Sequence, residues 1–136
     1  MSTEQNKVLV TRVNKEFIEG GNEATVHEIF ASDFINHTAP PGSPQGPEAV
    51  IYFFNGLLKP AFPDLKVEIH EMIAEGDKVT TRKSFHATHQ GEFFGVPPTN
   101  KSVVMEVIDI ITLRDGKYKE HWGILDMQGL MAQITG

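Results

Sequence analysis

The sequence has 136 residues, 40% hydrophobic and 22% charged, the profile of one folded domain spanning 1–136. Its 18 acidic side chains against 12 basic ones give a formal charge of −6, which repels phosphate backbones and argues against a nucleic-acid partner. The absence of cysteine excludes disulfides, thiolate metal sites, iron–sulfur clusters and a cysteine nucleophile, and it fits a cytoplasmic protein.

The N-terminus, MSTEQNKVLV, lacks the basic region and apolar run of a signal peptide. Apolar residues then recur at helical spacing (Val8, Leu9, Val13, Phe17 and Ile18), with Ser2 and Gln5 at capping-box spacing. Gly20-Gly21 supplies a left-handed stop, and Asn22 caps a second, short helix through Val26, Ile29 and Phe30. Residues 33–37 read as a short extended piece, followed by the Pro-rich loop Pro40-Pro41-Gly42-Ser43-Pro44. Gly46-Pro47 opens a third helix with an apolar face of Val50, Phe53, Phe54, Leu57 and Leu58, closed by Pro60 and Pro63.

From Leu65 the period becomes that of strands. Val67, Ile69 and Glu71 alternate with Glu68, His70 and Met72 up to a turn at Glu75-Gly76-Asp77. A second strand covers Val79 to His89, and a third runs from about Ser102 to Leu113. The hairpin turn Asp115-Gly116 leads into a fourth, Tyr118 to Leu125, and Asp126 caps a last short helix. Helices first and an antiparallel meander after them make an α+β domain. No stretch approaches 18 apolar residues, so no membrane span is expected. No glycine pattern matches a phosphate-binding fingerprint, and no histidine has a partner at metal-ligand spacing, so neither cofactor nor metal is expected.

The third strand is apolar on both faces, Met105, Val107 and Ile111 on one and Ile108 and Ile110 on the other. Helices cover one side in so short a chain, so the outer face is expected to pair in a homodimer, with burial under a long loop as the alternative. Asp109 stands in the middle of this strand. It reads either as a pocket acid or base with a raised pKa, or as a structural carboxylate bonded to a neighbouring element.

Counting back from the hairpin places His121 across from about residue 110, on the face of Asp109 if the register is even, where the two would form a proton-transfer dyad. Asn36 and His37 suit the wall or rim of a pocket. Phe53, Phe93 and Trp122 are candidates to line it, and the loop 90–100, which carries Phe93-Phe94, to cover its mouth. The pocket's expected occupant is a small apolar organic molecule.

The stretches His89-x-Gly91-Glu92-Phe93-Phe94-Gly95-Val96-Pro97-Pro98-Thr99, Asp115-Gly116-Lys117 with Glu120-His121-Trp122-Gly123, Ala61-Phe62-Pro63-Asp64-Leu65 and Asp33-Phe34-Ile35-Asn36-His37 resemble the SnoaL-like polyketide cyclase (ester cyclase) family of the nuclear transport factor 2-like superfamily. The resemblance implies a cone-shaped α+β barrel, a curved antiparallel sheet wrapped around N-terminal helices, with a pocket between them and dimers through the outer sheet face. It also implies a cofactor-free aldol ring closure on a polyketide ester. The family's acid/base aspartate falls on Gly123, its pocket histidine on Asp109, its pocket glutamine on Val107 and its pocket asparagine on Asn36. Either Asp109 takes over as general base with His121, Asn36 and His37 binding the carbonyl oxygen, or the chain is a non-catalytic binder of an apolar ligand.

Overall fold

Ser2 starts the first helix with a reciprocal cap: its hydroxyl accepts from the Gln5 N–H at 3.1 Å and its own N–H donates to Gln5 Oε1 at 2.9 Å. The computed structural model describes residues 1–136. Helix α1 (Thr3–Arg12) continues unbroken into a π-helical stretch (Val13–Glu19) and stops at Gly20-Gly21, where Gly21 takes φ +74°. Its inward stripe is Asn6, Val10, Val13, Asn14, Phe17 and Ile18. Val8, expected inside, is exposed, because Val10 is the residue in phase with Val13 and Phe17.

Asn22 caps α2 (Glu23–Ile29) by accepting from the Ala24 N–H at 3.0 Å. The chain passes directly from α2 into β1 (Phe30–Asn36), which begins earlier than the extended piece expected at 33–37. Helix α3 (Pro47–Ile51) follows Gly46, runs on as a second π-helical stretch (Tyr52–Leu58), and ends in Lys59–Ala61. Strands β2 (Lys66–Glu75), β3 (Lys78–Thr88), β4 (Ser102–Arg114) and β5 (Lys117–Leu125) form the meander. Asp126 then caps α4 (Met127–Thr135), its Oδ1 accepting from the Gly129 N–H at 2.8 Å. No helix is long and apolar enough to cross a membrane.

The sheet order is β1-β5-β4-β3-β2. This is the expected α+β architecture of a curved sheet wrapped around helices, with two departures from a closed antiparallel barrel. β1 joins the sheet parallel to β5, and the edges β1 and β2 do not meet, so the sheet is curved but not closed. The helices fill its concavity and share one apolar core with its inner face, through residues such as Phe17, Leu58, Phe85 and Met105.

Two bulges reset which residues face inward. One falls between Ile69 and Glu71, so Met72 turns in. Glu71 turns out and accepts from Arg82 Nε at 2.9 Å, against the strict alternation expected for this strand. The other lies at Lys119: Leu113 pairs with Tyr118, but Thr112 pairs with Glu120.

The loop 90–100 packs away from the concavity. The Gln90 and Gly91 N–H groups donate to Ala61 O at 2.9 and 3.0 Å, and Phe93 stacks edge-on to Phe62 at 5.2 Å. A β-carbon at position 91 would come within 2.2 Å of Pro60 O, so glycine permits this close docking.

Candidate functional site

Between the helices and the inner sheet face lies a cavity of about 650 Å³ with mostly apolar walls. Both π-helical stretches line it, the first through Asn14, Phe17 and Ile18, the second through Tyr52, Phe53 and Phe54. The Pro-rich segment contributes Thr38, Pro40, Pro44 and Gln45 to its lining, and the loop 90–100, expected to cover its mouth, contributes no residue. Gln45 clamps that segment to β1: its Oε1 accepts from the Asn36 N–H at 2.8 Å and its Nε2 donates to Asn36 O at 3.1 Å.

The polar groups converge on one wall. Asp109, 7% exposed, points inward from β4. Its Oδ2 accepts from Lys83 Nζ at 3.0 Å and lies 3.8 Å from His121 Nε2. Its Oδ1 is buried and has no hydrogen-bond partner.

The Lys119 bulge brings His121 to this wall. An unbroken register from Arg114–Lys117 would pair His121 with residue 110 and turn it to the outer face. The extra residue shifts the pairing to Ile111, on the face of Asp109. Asn36 fixes the imidazole. Its Oδ1 accepts from the Thr38 N–H at 3.2 Å and from the Thr38 hydroxyl at 3.1 Å, which identifies the oxygen end of the amide. His121 Nδ1, 2.8 Å from that oxygen, is therefore the donor, and Nε2 of the neutral ring carries the lone pair beside Asp109.

Burial by itself would push the Asp109 carboxyl up, as the sequence led us to expect. The ammonium of Lys83, joined by His121 where its ring also carries a proton on Nε2, outweighs burial and holds it below the usual aspartate value. Of the two readings of Asp109, the raised pKa is corrected, and the bond to a neighbouring element is present, supplied by Lys83 of β3. Tyr118, also on the cavity lining, has its phenol pushed well above the ordinary tyrosine range by burial and by the charge of Asp109.

The other candidate residues divide by strand parity. Asn36 and His121 face the cavity, so their neighbours His37 and Trp122 face away from it. His37 Nε2 lies 2.9 Å from Glu120 Oε2, and its ring stacks on Trp122 at 4.6 Å. Trp122 also has Lys78 Nζ 5.3 Å from its ring centre. Phe53 lines the cavity, edge-on to Phe54 at 5.0 Å, whereas Phe93 is buried against Phe62 outside it. No three His, Asp or Glu side chains are arranged to hold a metal ion.

Sequence reasoning missed Lys83 and Asn14. Lys83, 3% exposed, takes the inward place in the alternation Val79, Thr81, Lys83, Phe85, Ala87. Asn14 takes one in the stripe Val10, Val13, Asn14, Phe17. A polar residue in phase with an apolar face was the signal in both cases.

Comparison with known proteins agrees with this architecture. Nogalonic acid methyl ester cyclase of Streptomyces nogalater is 24% identical over 115 residues, covering 84% of this chain and 86% of that protein. The crystal structure of IdmH from Streptomyces antibioticus superimposes with a TM-score of 0.86 at 28% identity, covering 97% of this chain and 99% of the other. A SnoaL-like protein of Jannaschia sp. CCS1 gives 0.84 at 28% identity, over 98% of this chain and 94% of its own. The family model for SnoaL-like polyketide cyclases matches residues 8–134, nearly the whole of the sequence that builds this sheet and cavity, and the chain belongs to that family.

Proposed function

We propose that this chain is a cofactor-free enzyme that moves a proton next to a carbonyl group of an apolar substrate, in a ring closure of the cyclase type. The observation that carries the reading is the Asp109 carboxylate on the wall of an apolar cavity: its buried Oδ1 has no hydrogen-bond partner, and its Oδ2 lies 3.8 Å from His121 Nε2. In the proposed step, the carbon next to the substrate carbonyl gives its proton to the Asp109 carboxylate, whose Oδ2 lies 3.8 Å from His121 Nε2. The resulting enolate carbon attacks a second carbonyl of the same molecule, one C–C bond forms, and the new alkoxide takes the proton back. The product is an isomer of the substrate, so no oxidant or co-reactant is needed. All three contacts of the Asn36 side chain fall on Oδ1, which leaves its Nδ2 to donate to the enolate oxygen. The relative named as a methyl ester cyclase supports an ester of this kind as substrate.

Gly123 supports a second reading. The resemblance puts the family's acid/base aspartate there, and a glycine transfers no proton, which favours a non-catalytic binder of an apolar ligand. Gly123 is the direct cross-strand partner of Asp109, so the carboxylate of this chain stands one strand away from the matched position.

The test uses nogalonic acid methyl ester in deuterated buffer without added metal or nucleotide. NMR follows solvent exchange next to the carbonyl, and mass spectrometry follows isomerisation. The native chain is expected to catalyse exchange, and Asp109→Asn to lower it by about 10²–10⁴-fold. Saturable binding with no exchange by the native protein would establish the binder, and undiminished exchange by the variant would refute Asp109 as the base.

A further inference from the structure

Lys83 stands at the centre of the inner sheet face. Its ammonium donates to Asp109 Oδ2 at 3.0 Å and to Asn14 Oδ1 at 2.7 Å. Asn14 cannot turn its amide round without losing a second bond, because its Nδ2 donates to Val10 O at 2.9 Å. A chain of hydrogen bonds thus runs from the α1 backbone through Asn14 and Lys83 to the carboxylate, and it joins the helix to β3 and β4. Neither charge is tolerable alone at this depth: an unpaired buried ammonium or carboxylate is strongly destabilising, whereas the pair with its extra hydrogen bonds is not.

We propose that Lys83, clamped by Asn14, is the positioning residue of the site: it occupies Oδ2 of Asp109, keeps the group ionised, and leaves the buried Oδ1 as the one carboxylate oxygen without a hydrogen-bond partner. The charged and titratable groups facing Asp109 are Lys83 from β3 and His121 and Tyr118 from β5; the helix side brings the neutral Asn14, with Glu48 and Tyr52 elsewhere on the cavity lining. Of these, Lys83 makes the only direct hydrogen bond to the carboxylate, since His121 stays at 3.8 Å. A ligand that reaches the carboxylate therefore meets a full negative charge that is already oriented. The inference rests on the reading of Asp109 as the carboxylate of the site, but its test is made without substrate, so its failure is separate from a failure of the exchange experiment.

The experiment is a pH titration of the Asp109 side-chain carboxyl by carbon-13 NMR in the native chain, in Lys83→Met and in Leu58→Ala. The last loosens the core elsewhere and controls for lost packing. The midpoint is expected to rise by about two pH units in Lys83→Met, where burial acts unopposed by the ammonium, and to stay in place in Leu58→Ala. An unmoved midpoint in folded Lys83→Met, or an equal rise in the control, overturns the proposal. Should Lys83→Met not fold, nitrogen-15 NMR of the native lysine ammonium decides. A solvent-protected Nζ signal that disappears on acidification together with protonation of Asp109 supports the proposal, and a signal in fast exchange at every pH overturns it.

Discussion

Asp109 owes its charge to its neighbours and not to water, so it couples the stability of the fold to pH. Its folded pKa lies below that of an unfolded aspartate, about 3.9. Below that value the unfolded chain takes up a proton that the folded chain still refuses, and stability falls. The contribution is complete above the unfolded value and is lost as the pH drops through the folded one. Asp109→Asn, which strands the Lys83 ammonium, is expected to unfold at lower urea near pH 7, by about 3–5 kcal/mol. The gap from the native chain should narrow in acid, as the pH drops through the folded value and the native carboxyl is protonated as well. Urea titrations at neutral and acid pH check this, and a gap independent of pH would contradict it. Asp109 was conspicuous as a lone acid in an apolar strand. Its low pKa was not, because the cation that produces it is 26 residues away in sequence and one strand away in space.

Elements were legible wherever the signal is local. The Ser2 and Gln5 cap, the Asn22 and Asp126 caps, Pro47 at a helix start and the Asp115-Gly116 turn all lie where neighbouring residues put them. Bulges escaped the reading, since an extra residue in a strand has no composition of its own. Yet one bulge decides which way His121 points. The same wall explains Gly123. A β-carbon there would lie 2.6 Å from His121 Nε2 and 2.9 Å from Asp109 Cβ, so the dyad and a side chain at this position exclude each other. Gly123→Ala is expected to cost about 1–3 kcal/mol and to displace the imidazole. Thermal unfolding reads the first effect and the His121 ring NMR signals the second. Unchanged ring signals would mean that the wall yields without moving the histidine.

On the scale of the whole molecule, the convex face of the sheet exposes large apolar side chains. Ile108 and Ile124, 53% and 70% exposed, are cross-strand neighbours there, next to the pair Ile110 and Trp122. We propose that a second copy of the chain covers this face, since contiguous exposed apolar pairs on a sheet mark an interaction surface. Sedimentation is expected to give a dimer for the native chain and a monomer for Ile124→Glu, with an unchanged far-UV spectrum in both. A native monomer would refute the proposal.

Local pattern was enough for the helices-then-meander order, the capping residues, the position of Asp109 on the apolar face of its strand and the likeness to the cyclase family. These depend on periodicity and on contacts a few residues apart, which a linear chain displays directly. Three properties needed the fold: the parallel docking of β1 on β5, the cavity lined in part by the segment after β1 and not by the loop 90–100, and the union of Asn14, Lys83, Asp109 and His121 on one wall. Each arises where strands and helices distant in sequence meet, and a one-residue bulge or a buried cation there reverses what local pattern alone suggests.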